Sequence, residues 1–92
     1  MISDIVSVRR TTTGTAVTGS HRIRGFIILC GGTAGSVVFR DGGGSGAIVL
    51  QVDTPASAAS LIAINLAQAG IRCLTDIHVT LTNVTSVVVM YD

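Results

Sequence analysis

Few side chains in this chain could do acid–base, nucleophilic or metal chemistry. They are His21, His78, Cys30, Cys73 and five scattered Asp; there is no Lys, Glu or Trp. Catalysis by proton transfer or covalent attack needs such a group held in a supporting network. His78 shares the polar face of a strand pattern with Asp76, Thr80 and Thr82, where a solvated or interfacial imidazole is expected. Cys30 and His78 could be drawn as a thiolate pair, but no third group and no nucleophile-bearing turn accompanies them. The two cysteines lie in apolar contexts and lack further ligands, so they read as buried, reduced thiols rather than a metal site. Gly31-Gly32-Thr33-Ala34-Gly35-Ser36 resembles a phosphate loop only superficially. It lacks the Gly-Lys-Ser/Thr ending, and a strand pattern follows it, so turn glycines are the expected reading. Asn83-Val84-Thr85 matches a glycosylation acceptor but reads as hairpin turn chemistry. No catalytic residue, cofactor, metal or small-molecule substrate is expected.

Arg9, Arg10, Arg22 and Arg24 are the one charged grouping with a plausible role. If 3–10 and 21–30 lie close together, four guanidiniums could form a patch. Such a patch suits bidentate contacts with Asp partners, which makes these arginines candidates for subunit contact. The competing reading is a solvated sheet edge guarded by Arg. Formal net charge is only +1, so neither nucleic acid nor a membrane surface is an expected partner. No run reaches the ~18–20 apolar residues of a membrane span. Met1-Ile2-Ser3-Asp4 shows no basic region leading an apolar core, so no secretory leader is expected.

The elements that would position these groups read as strands. Ser36–Arg40 and Ala47–Val52 form a hairpin around Asp41-Gly42-Gly43-Gly44-Ser45-Gly46, with Asp-Gly supplying positive φ. Alternation assigns Val37, Phe39, Ile48, Leu50 and Val52 to its buried face. Ser3–Arg10 alternates as a strand, and Thr11–Ser20 is a Thr/Gly-rich turn with room for a short strand at Ala16-Val17. His21–Cys30 starts with Arg22 and Arg24 on one face, then turns apolar on both faces, as in a central or subunit-facing strand. For 53–70 local rules favour a helix, with Thr54 as N-cap, Pro55 at N1 and Gly70 at C′. The all-β surroundings favour a turn over Asp53–Ala59, a strand over Ser60–Leu66 and a loop over Ala67–Gly70, and this reading is preferred. Ile71–Leu74 and Asp76–Thr82 continue the pattern; Asn83–Ser86 turns the chain and Val87–Tyr91 is the last strand.

Composition agrees with that pattern and adds a constraint. Thirty-three of the 92 residues are Ile, Val or Thr, against six Leu, and β-branched side chains favour sheets. The expectation is an all-β chain: one β-sandwich or jelly-roll-like domain over 1–92, with seven to eight short antiparallel strands. Yet 48% of residues are hydrophobic, 12% are charged and mean hydropathy is +0.68. A domain this size buries only about 60–65% of its unfolded surface. The apolar surplus therefore points to subunit interfaces and a homo-oligomer.

Several segments carry a family resemblance. Thr12-Thr13-Gly14-Thr15-Ala16-Val17, Arg24-Gly25-Phe26-Ile27-Ile28 and Gly32-Thr33-Ala34-Gly35-Ser36-Val37-Val38-Phe39-Arg40-Asp41-Gly42 are three of them. Asp53-Thr54-Pro55-Ala56, Gly70-Ile71 and Asp76-Ile77-His78-Val79-Thr80-Leu81-Thr82-Asn83-Val84 are the others. Together they resemble small virion-associated structural proteins of marine tailed bacteriophages, of cyanophage and pelagiphage type. The chain departs from that pattern at Leu66-Ala67-Gln68-Ala69-Gly70, where the family has a Pro-Gly loop. The resemblance implies a non-enzymatic structural protein located in the virion, foremost a capsid decoration or cement protein in many copies. A neck or tail adaptor or fibre-associated subunit is the alternative, ahead of a receptor- or glycan-binding module. The implied partners are other virion proteins, either the major capsid protein or neck and tail proteins.

Overall fold

The computed structural model describes residues 5–58, 60–66 and 70–92. Within them the chain forms β1 (Val6–Arg10), β2 (Gly14–Thr18), β3 (His21–Cys30), β4 (Gly35–Asp41) and β5 (Ala47–Thr54). β6 (Leu61–Asn65), β7 (Ile71–Cys73), β8 (Asp76–Thr82) and β9 (Val84–Tyr91) complete it. All pairings are antiparallel. One sheet has the order β1-β9-β3-β6, with β7 also pairing β3; the other has the order β2-β8-β4-β5. The two sheets enclose one core, so the chain is a small β-sandwich.

The core follows from period-two alternation, which sends every second side chain inward. Ile23, Phe26, Ile28 and Cys30 of β3 meet Val37 and Phe39 of β4, Cys73 of β7, Ile77 and Val79 of β8, and Val87 and Val89 of β9. The inward set on β3 changes parity at Gly25, where the β3–β9 register shifts between Ile23 and Gly25. A bulge there lets Ile23 and Phe26, three residues apart, face the same side.

Ile48 does not join the buried face: it is half exposed, and Val49 packs on the core beside Leu50 and Val52. The β4–β5 register slips between Phe39 and Arg40, pairing Phe39 with Leu50 but Arg40 with Ile48. One inserted residue turns the side chains beyond it to the opposite face. Among the described residues nine strands form rather than seven or eight, because Gly14–Thr18 and Ile71–Cys73 both gain partners, in β8 and β3.

The turn expected over Asn83–Ser86 shrinks to Asn83 alone, which takes a φ of 54° while β9 begins at Val84. It is a corner rather than a hairpin, since β8 lies in one sheet and β9 in the other. Gly31 and Gly35 likewise serve close approach rather than a turn. A Cβ on Gly31 would sit 2.6 Å from the Asn83 carbonyl oxygen, and one on Gly35 would collide with that of Thr82. The β3–β4 crossing therefore lies directly on the β8–β9 corner.

The preferred strand reading of 60–66 holds as β6. Gly42 and Gly43 have φ of 106° and 81°, as the Asp-Gly hairpin loop requires. The loop read over 67–69 lies outside the described residues.

Candidate functional site

The four arginines are not brought together. β9 inserts between β1 and β3, so the two Arg-bearing strands never touch. The registers also displace them lengthwise: Arg9 and Arg10 pair with Val88 and Val87, which pair with Ile27 and Ile28. Arg22 and Arg24 lie at the other end of β3, level with Tyr91. Arg10 turns onto its own loop, donating from Nε to the Thr12 carbonyl and from Nη2 to the Thr13 carbonyl, each at 3.4 Å. Arg9 is exposed.

At the β3 end the arrangement is different. Arg22 and Asp92 exchange backbone hydrogen bonds at 3.1 Å in each direction. This brings the Asp92 carboxylate under Arg24, whose Nη1 donates to Oδ2 at 3.0 Å. Arg72, which sequence reading left aside, pairs with Arg22 across β3 and β7. Cross-strand partners share a face, so Arg22, Arg24 and Arg72 line one end of that sheet's outer surface with Asp92 as counter-charge. His21 packs edge-on against Tyr91 at 5.0 Å between ring centroids.

A second cluster was illegible in the sequence. The Asp41 carboxylate, at the end of β4, accepts from the N–H groups of Leu74 and Thr75 at 2.8 Å and of Asp76 at 3.3 Å. Asp76 answers, its Oδ1 accepting from the N–H groups of Gly42 at 2.9 Å and Gly43 at 3.1 Å. Each aspartate thus satisfies the backbone of the other's turn, which clasps the glycine loop to the β7–β8 connection. Arg40 Nη1 adds a bond to the Gly46 carbonyl at 3.1 Å.

Beneath this clasp sits His78, cross-strand from Arg40. A Cβ on Gly44 would lie 3.6 Å from the His78 ring. The imidazole expected there to be solvated or interfacial is instead covered by the chain's own loop. His78 Nδ1 and Arg40 Nε are buried with no hydrogen-bond partner among the described residues. Cys30 points into the core while His78 points out of the opposite sheet, so these two groups stay apart.

The backbone donors that hold Asp41 favour its ionised form, with Leu74 contributing most, and they lower its pKa below the ordinary 3.8. Burial, reinforced by the negative charges of Asp41 and Asp76, pushes the Cys73 thiol up to about 11. The signs follow from linkage. Asp41 is depressed in the folded state, so its contribution is complete above pH 3.8 and is lost as the pH falls below that value. Cys73 is raised, so stability is intact below its ordinary 9.0 and declines as the pH climbs toward about 11. The alkaline loss from this thiol is at most about 3 kcal/mol. Denaturation midpoints measured across pH should show Cys73→Ala losing the decline between 9 and 11 and Asp41→Asn losing the acid one. An unchanged alkaline decline in Cys73→Ala would assign that limb to another group.

Both cysteines are free and buried. A shallow open groove of about 240 Å³ lies over the sheet corner, lined by Gly31, Gly32, Thr33, Asn83, Val84 and Thr85. Comparison with protein-family models, with curated proteins and with solved structures found no match to this chain. Phe26 and Phe39 are both buried and pack on each other at 5.3 Å, so neither offers a ring face for stacking a sugar.

Proposed function

We propose that this chain is a non-enzymatic structural protein of a bacteriophage virion, foremost a capsid decoration or cement protein present in many copies. One observation carries the assembly part of this reading. Large apolar side chains stand exposed on several sides of the sandwich: Leu61 at 66%, Leu74 at 64%, and Ile5, Val6, Ile48 and Ile64 with them. Single exposed apolar residues are ordinary. Here they belong to a chain with only 12% charged residues, so covering them desolvates few ions and gains area. The virion assignment rests on the sequence resemblance. A neck, tail or fibre position is the alternative within the same class, and copy number separates the two.

Purified particles containing this protein should hold it in numbers comparable to the shell subunits, by quantitative mass spectrometry against the major capsid protein. The isolated chain should self-associate as its concentration rises and should bind expanded capsids. A chain that stays monomeric at millimolar concentration and ignores capsids would defeat the reading. A copy number matching a single vertex would move it to the neck or tail.

A further inference from the structure

Among the described residues the five edges of the two sheets are not equivalent. β1 ends on Arg9 and Arg10, β7 carries Arg72, and β5 carries Asp53 and the register slip beside Arg40. β2 is broken by a register shift between Thr15 and Val17. Charges and bulges are the devices that stop a sheet edge from recruiting another strand. β6 has neither: Leu61-Ile62-Ala63-Ile64-Asn65 is uncharged and pairs with β3 in unbroken register from Gly25 to Leu29.

The direction of its free backbone groups follows from two flanking bonds. The Ser60 carbonyl accepts from Cys30 N–H at 2.9 Å, and Leu66 N–H donates to the Arg24 carbonyl at 2.9 Å. In an antiparallel ladder, alternate residues aim both backbone groups at the same neighbour. The even-numbered residues therefore face β3, and Leu61, Ala63 and Asn65 aim theirs outward. Among the described residues no strand lies on that side.

We infer that β6 is a self-pairing edge, and that its occupant is the β6 strand of a second copy, antiparallel about a two-fold axis at Ala63. The three outward residues are symmetric about Ala63. Ala63 would exchange both backbone bonds with its own copy, and Leu61 would do so with Asn65 of the other, giving about six new hydrogen bonds. Ile62 lies opposite Ile64 in this register, and no like charges meet. The continuous sheet would then run β1-β9-β3-β6 and back through the second copy in reverse order. Two-fold interfaces require such self-complementarity. Five uncharged residues with exposed Leu61 and Ile64 supply it without a partner of opposite charge.

This inference rests on the assembly reading above and names the surface that performs it. Proline at 63 removes only an outward N–H, a substitution that edge strands tolerate. Ala63→Pro should leave the melting temperature of the monomer nearly unchanged. It should raise the dimer dissociation constant about tenfold or more, from the loss of a pair of backbone hydrogen bonds. Ala63→Lys and Ala63→Glu should each dissociate, because identical charges face each other at the axis. Mixed in equal amounts, they should form a heterodimer, seen by native mass spectrometry and sedimentation. That rescue decides the matter even if Ala63→Pro fails to fold. Wild-type association with every Ala63 variant associating equally would overturn the β6 interface and leave the assembly reading standing. A wild-type chain that never associates would overturn both.

Discussion

Phe39→Ala should remove a large part of the folding stability, more than any surface substitution. Phe39 is fully buried and sits where β4 meets both neighbours, opposite Leu50 of β5 and Val79 of β8. Its ring tilts against Phe26 of the facing sheet at 42°, so a large buried side chain bridges the two layers. Removing it loses transfer free energy and leaves a cavity that β-branched neighbours, stiff at χ1, fill poorly. The expected cost is about 3–5 kcal/mol. A small domain has a total stability of only about 5–15 kcal/mol. Urea titration should show the midpoint falling sharply with an unchanged slope. A loss below about 1 kcal/mol would mean that the sheets close over the gap.

Gly35→Ala should cost nearly as much for a different reason. Its Cβ would meet the carbonyl oxygen of Thr82, with the Thr82 carbonyl carbon 2.8 Å away. Both are backbone atoms of a strand residue paired with Ser36 of β4, so neither can swing aside as a side chain would. The sheet corner must open instead, which also strains the bond from Gly35 N–H to Thr54 Oγ1 at 3.2 Å. Overpacking of this kind costs about 3 kcal/mol. Gly32→Ala, three residues earlier, is the control: a Cβ there meets nothing within 4 Å, and the variant should be neutral or slightly stabilised. Equal losses from both would show that the loop needs flexibility, and the close-approach account would fail.

The candidate surfaces were partly legible. The apolar surplus in the composition anticipated exposed apolar side chains, and those are present. The arginine patch was not, because its formation depended on which strand lies beside which. Arg72 could have been suspected only by knowing that Ile71–Cys73 pairs with the start of β3. The mutual clasp of Asp41 and Asp76 joins residues 35 apart in sequence, and no local pattern marks a carboxylate that will cap a distant turn.

By itself the sequence determined the strands, the glycine loop and most of the inward faces. β-branched content, alternation and Asp-Gly chemistry are local properties of the backbone and act wherever the chain is placed. Alternation failed at Ile48 because a bulge depends on the partner strand. Tertiary structure alone decided four things: that β9 separates β1 from β3, that the glycine loop buries His78, that Cys73 feels two carboxylates, and that 61–65, a strand preferred over a helix only on its all-β surroundings, lies beside β3. The last shows the reason most directly. Its local signals suit a helix, but β3 presents Phe26 and Ile28 with free backbone groups alongside. Pairing with them satisfies the ladder and covers the core together, a gain that intrinsic propensity, worth only tenths of a kcal/mol per residue, is too small to oppose.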